Sequence, residues 1–139
     1  MAELLVAPDT VGLVVALLRS RLPELPEQPV VPVNRAVPSP RPPVFVTVRQ
    51  LGGLGRDDAV PVVDRVSVAV EAWADQVVAA HDLAQNARAV MHAAQGTVHS
   101  GIQVYRVVEA GSPVELPDPL SKQARVTFTV ELTVRIRRP

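Results

Sequence analysis

The residues with which this chain could do chemistry are few. They are His81, His92 and His99, the glycines Gly52, Gly53 and Gly55, the adjacent carboxylates Asp57 and Asp58, the serines Ser100, Ser112 and Ser121, and the basic tail RIRR at 135–138. Histidines that share a metal sit at short, fixed spacings on one helix face. His81 and His92 stand eleven residues apart, roughly on one side of a helix but three turns from each other, so they read as surface histidines. The glycines have the composition of a phosphate loop without the Lys-Ser/Thr that follows one, and they lead toward a strand rather than a helix, so they read as a hairpin turn. Asp57 and Asp58 lie in that same turn without a partner base for acid–base work. No serine has the G-x-S-x-G setting of a nucleophile elbow. The tail reads as a solvated chain end, with nucleic-acid contact as the sharper alternative. No catalytic residue, metal ligand or cofactor site is expected.

Composition narrows the classes further. The 139 residues fit one domain, and a hydrophobic content of 47% places them among globular chains. Fourteen basic residues balance fourteen acidic ones, which removes the bulk argument for a polyanionic partner. The absence of cysteine excludes a disulfide framework, a thiolate nucleophile and a Cys-ligated zinc. The run VGLVVALL at 11–18 is too short to span a bilayer, follows Glu3 and Asp9 rather than a basic region, and precedes Arg19 and Arg21, so a buried helix in a soluble protein is expected. Trp73, Tyr105, Phe45 and Phe128 are the whole aromatic set, leaving a core of Val, Leu, Ile and Ala.

The elements that position these residues follow from periodicity and punctuation. Asp9 or Thr10 caps a helix to about Leu22, with Val11, Val14, Val15 and Leu18 inward and Pro23 as its stop. Residues 23–43 hold eight of the fourteen prolines and should run extended, either as a solvated connection or as an arm on a neighbouring subunit. A strand VFVTVRQL follows, then the GGLGRDD turn, then a strand from Val62 to Ala72 that alternates apolar with polar. Residues 75–95 read as a helix with the stripe Ala80, Leu83, Ala84, Ala87, Val90, Met91 and Ala94, closed by Gly96. Strands at 101–111 and 125–137 complete the chain; in the last, Val126, Phe128, Val130, Leu132, Val134 and Ile136 face one way. The expected fold is α/β (α+β) in the order α-β-β-α-β-β: a mainly antiparallel four-stranded sheet with two helices on one face. Its opposite face is polar, with Arg65, Glu71, Thr129, Glu131 and Arg135 as candidate surface residues.

The succession LLRSRLPE at 17–24, RPPVFVTVRQLGG at 41–53, EAWA at 71–74, DLAQNARAVMHAA at 82–94 and LPDPLSKQARVTFTVELTVR at 116–135 resembles the tail terminator proteins of long-tailed bacteriophages, especially those of phages and prophages of actinobacteria. Each phrase is structural, so the resemblance lies in their order and spacing over nearly the whole chain. It implies a homohexameric ring that caps the last disc of the tail tube, stops its polymerisation and offers a surface to the head-completion proteins of the neck. It brings no catalytic residues. The implied partners are copies of the chain itself, the major tail tube protein and a neck protein, with DNA passing through the lumen without specific binding and no membrane.

Contacts within a ring join two different surfaces of each subunit. The candidates are the two proline-stiffened stretches: Arg41, Pro42 and Pro43 in the first, and Pro113, Glu115, Pro117, Asp118, Pro119 and Lys122 in the expected loop 111–122. Three other readings stay open: a head–tail connector or head-closure protein, a small DNA-binding module using Arg125, Arg135, Arg137 and Arg138, and an enzyme with its site between subunits.

Overall fold

Asp9 accepts a hydrogen bond from the backbone N–H of Gly12 (3.1 Å) and begins the first helix, α1 (Thr10–Arg21). The structure, a computed structural model, describes residues 4–57, 59 and 62–137; Glu3, Asp58 and Arg138 lie outside the described residues. Arg35 forks onto the capping carboxylate at 2.6 and 2.8 Å. That hydrogen bonding, ahead of the bond from the Gly12 N–H, holds Asp9 below its ordinary pKa. Pro23 stops the helix, and Leu22–Glu24 form a 3-10 turn. α1 is buried more fully than one stripe predicts, because Leu13 and Leu17 are covered as well as Val11, Val14, Val15 and Leu18.

The proline-rich segment supplies part of that cover. It runs back beside α1, where Arg19 donates from Nε to the Val33 carbonyl (2.9 Å) and from Nη2 to Asn34 Oδ1 (3.1 Å). Val33–Asn34 form β1, a two-residue strand parallel to β2 (Phe45–Arg56). Three antiparallel pairings continue the sheet through β3 (Val63–Ala74), β6 (Ala124–Arg135) and β5 (Ile102–Glu115), and β4 (Val98–His99) forms the far edge on β5. The fold is therefore α+β, with two helices and a six-stranded curled sheet ordered β1-β2-β3-β6-β5-β4. The expected four-stranded sheet and α-β-β-α-β-β order need correction: two short edge strands are added and one pairing is parallel.

Two boundaries also differ from expectation. Gly52, Gly53 and Gly55 are not a hairpin turn; they lie in β2, where register shifts fall between Gln50 and Gly52 and between Gly52 and Gly55. All three have positive φ, and a Cβ at Gly53 would stand 2.5 Å from the Arg65 carbonyl oxygen, so β2 crosses β3 here too closely for a side chain. β5 continues to Glu115, with Val114 opposite Thr127 and Glu115 opposite Val126. Pro113 and Glu115 thus belong to a strand, and the connecting loop is only 116–123.

The helix α2 (Val77–Ala93) buries Ala80, Leu83, Ala84, Ala87, Val90 and Met91, and Ala94 just beyond it, which is the stripe its periodicity predicts. The stripe closes with α1 over Val46 and Val48 of β2, Val68, Val70 and Ala72 of β3, and Val126, Phe128, Val130, Leu132 and Val134 of β6. Each such Val or Leu contributes about 1.5–3 kcal/mol when fully buried, so the alternation of β6 is a large part of what fixes its register. Among the described residues no helix is long and apolar enough to cross a membrane.

Candidate interaction surface

The residues at odd positions of β2, β3 and β6 point away from the helices, and at one end of the sheet they are dry. Phe45 is opposite Trp73, and Trp73 is opposite Arg125. The two rings stack with centroids 5.3 Å apart and planes 9° apart, and the indole N–H donates to Thr47 Oγ1 at 3.0 Å. Phe45 is fully buried and Trp73 is 4% exposed, although among the described residues no second helical layer covers this face.

Arginines and a loop provide the cover. The Arg41 guanidinium lies 5.2 Å from the Trp73 centroid and 5.8 Å from that of Phe45, and the Arg125 guanidinium lies 5.1 Å from Trp73. Arg125 also donates from Nε to the Leu116 carbonyl (2.9 Å) and from Nη1 to Glu71 (3.3 Å). Glu71 is buried between that guanidinium and Arg49, 3.7 Å away. Gln123 donates to the carbonyls of Pro42 (2.9 Å) and Pro43 (3.1 Å) and accepts from Arg41 (3.2 Å). The end of the proline-rich segment and the loop 116–123 are thereby joined into one corner.

Asp118 organises the loop. Its carboxylate accepts from the Ser121 hydroxyl (2.8 Å) and the Leu120 backbone N–H (3.1 Å), with Arg41 at 3.9 Å. The Ser121 bond first, then the Leu120 N–H and the nearby arginines, hold this carboxyl below its ordinary pKa. The turn leaves Leu120 93% exposed at the tip, with Pro119 and Lys122 also facing outward.

The candidate contact residues therefore divide. Arg41, Pro42, Pro43 and Asp118 come together and brace one another; Pro117, Pro119 and Lys122 line the outer side of the same loop; Pro113 and Glu115 sit on β5. Phe45, Trp73, Leu120 and Gln123 belong to the corner and are not among the residues expected at a surface; Arg125, expected as a nucleic-acid contact, belongs to it too. For Phe45 and Trp73 the signal was parity, since both fall in register with the polar set; the loop residues Leu120 and Gln123 carry no such signal.

The expectation of a uniformly wet second face is corrected by this corner. Glu71 is internal to it, and Arg65 is engaged along β2, donating to the carbonyls of Gly55 (3.1 Å) and Arg56 (3.3 Å) and lying 3.8 Å from Asp57. Thr129 and Glu131 are half-buried, opposite Ala69 and Ser67 of β3. Arg135 is exposed and donates to the Tyr105 hydroxyl at 2.9 Å.

The histidines are separate from this site. His81 lies 3.5 Å from Gln85, and His92 lies 3.8 Å from Glu109, the carboxylate that α2 grips through Arg88. Among the described residues no three His, Cys, Asp or Glu side chains are grouped so as to hold a metal ion. No protein-family model matches the chain, and no curated protein matches it.

Proposed function

We propose that this protein is a structural ring subunit of a phage tail neck, acting as a tail terminator. The observation that supports the reading best is the corner over Trp73: two segments about eighty residues apart are locked together and display a stiffened loop with an apolar tip. A surface held this way loses little entropy on docking, which suits a protein that must fit between two other assemblies. The succession of structural phrases described above points the same way. In this reading six copies close into a ring, one side of the ring meets the major tail tube protein, the other meets a head-completion protein, and DNA passes through the lumen. The protein then resides in the virion, at the junction of tail and neck.

Electron microscopy of isolated tail tubes mixed with the purified protein tests this directly. A six-fold cap at one end only is the expected image, and bare ends in the presence of folded protein would refute the terminator role. Deletion of the gene separates this role from that of a head-side connector. Overlong tails that fail to join heads support a terminator, whereas tails of normal length favour the connector.

One observation favours a second reading. Arg106 and Arg135 are exposed on the outward sheet face, where Glu131 is half-buried, so this part of the face suits the phosphate backbone of a duplex. Arg125 does not serve that purpose, being held by Glu71, Leu116 and Trp73. Duplex affinity that falls steeply with salt would favour this reading.

A further inference from the structure

On the helical side of the molecule lies an open groove of about 450 Å³. It is lined by five apolar residues, among them Val44, Ala79 and Leu83, and by the amides of Gln28, Gln85 and Asn86. Glu27 and Asp82 also line it, both exposed, and among the described residues no lysine or arginine does. The groove is built rather than slack. Asn86 of α2 donates to Gln28 Oε1 at 2.7 Å, and Glu27 holds a positive φ of 61°, so the proline-rich segment is pinned where it forms the wall. Next to Ala79, Val78 is 72% exposed and extends the apolar surface.

The loop over Trp73 has the complementary character. Its tip is Leu120, the most exposed large apolar side chain among the described residues. Lys122 is exposed two residues on, while the one acid of the loop, Asp118, is engaged by Ser121, the Leu120 N–H and Arg41. An apolar knob beside a cation thus meets a groove of mixed lining that offers both apolar contacts and two anions. Leu120 does not fill the groove of its own chain, since at 93% exposure it touches almost nothing.

We propose that Leu120 of one copy inserts into the groove of the next, with Lys122 beside Glu27 and Asp82, as the head-to-tail contact between copies of this chain. Knob and groove are different residues of one subunit, so a contact made one way between neighbours propagates from copy to copy, as a ring needs, and a reciprocal contact closes a pair instead. An apolar anchor desolvated in a pocket, flanked by rim charges, has the layout of an interface core with a polar rim. The ring reading sets how many copies close; the contact itself stands on the match between knob and groove.

The chain has no cysteine, so introduced thiols report without background. The test is oxidation of the double variant Ala79→Cys with Leu120→Cys, at high protein concentration, with and without isolated tail tubes. Both positions are exposed, and Trp73 fluorescence checks that each variant is folded. Disulfide-linked chains of three or more copies are expected from the double variant in at least one condition, and none from either single variant. Dimers alone, equal linking by Leu120→Cys alone, or no linking in either condition would each overturn the proposal. On the double-cysteine background, Lys122→Glu should lower the linked yield up to about fivefold and Asp82→Lys should restore it, the size expected of a rim charge pair. Linked chains without a tube cap would leave the contact standing and remove the terminator role; a cap without linked chains would do the reverse.

Discussion

Gln123 and Pro42 are 81 residues apart in sequence and 2.9 Å apart in space. The bond joins the end of the proline-rich segment to the loop before β6, and the same amide reaches Pro43 at 3.1 Å. Replacing Gln123 with Ala removes donors to two carbonyls and the acceptor for Arg41. We expect a loss of about 1 kcal/mol in global stability. Amide exchange over 116–122 should rise far more than over β6, because the loop opens locally. Uniform exchange across both would contradict this role of Gln123.

The carboxylate of Glu71 is 8% exposed and depends on Arg125 at 3.3 Å, with Arg49 a more distant partner at 3.7 Å. Arg125→Met leaves that charge buried and poorly compensated, and it should cost about 3 kcal/mol in urea unfolding. Arg125→Met with Glu71→Gln should recover much of the loss. An additive double variant would mean the two residues act independently.

The glycines of β2 should rank by what a methyl group meets. Gly53→Ala places Cβ against the backbone of Arg65, Val66 and Ser67 and should destabilise by more than about 2 kcal/mol, or shift the register of β2. Gly52→Ala and Gly55→Ala meet nothing within 4 Å and incur only the strain of positive φ, about 1 kcal/mol each. Thermal unfolding of the three variants measures the order.

Glu109 is held below its ordinary value of 4.5, chiefly by its hydrogen bonds from Arg88, with further support from His92. A carboxyl whose folded pKa is lowered takes up more protons when unfolded. It therefore stabilises fully above its ordinary value and loses that contribution as pH falls through the lowered one. Asp9 and Asp118 act with the same sign. Melting temperature should hold at neutral pH and decline from about pH 5 downward, and Glu109→Gln should make that decline shallower. An unchanged acid limb would show that Glu109 contributes nothing to it.

How much of this was legible varied with whether a residue's role is local. The stripe of α2 and the alternation of β6 were readable because each follows from one element meeting one core. The strands Val33–Asn34 and Val98–His99 were not, since two residues carry no period and pair only because the chain elsewhere brings β2 and β5 beside them. Gly52 to Gly55 read as a turn because glycine marks positive φ wherever it occurs, and a bulged strand demands it as much as a hairpin does. The proline stretches read as candidate contact surfaces, and of the second one Pro113 and Glu115 lie in β5. That Arg41 and Asp118 would meet across a buried tryptophan was not legible, because no pattern along a chain records which of its turns face each other.

β6 lies between β3 and β5, although it is the latest of the six strands in the chain. A ribosome delivers the margins of this sheet before its middle. Until residues 124–135 emerge, the inner edges of β3 and β5 have no strand between them, and the stripe of α2 lacks much of the surface it packs against. Folding of this sheet must then wait for β6, and a nascent product halted before it would carry two unpaired edges beside exposed valines, a form prone to aggregate. Such a strand also acts as a checkpoint on the product, because only chains read through β6 can complete the sheet.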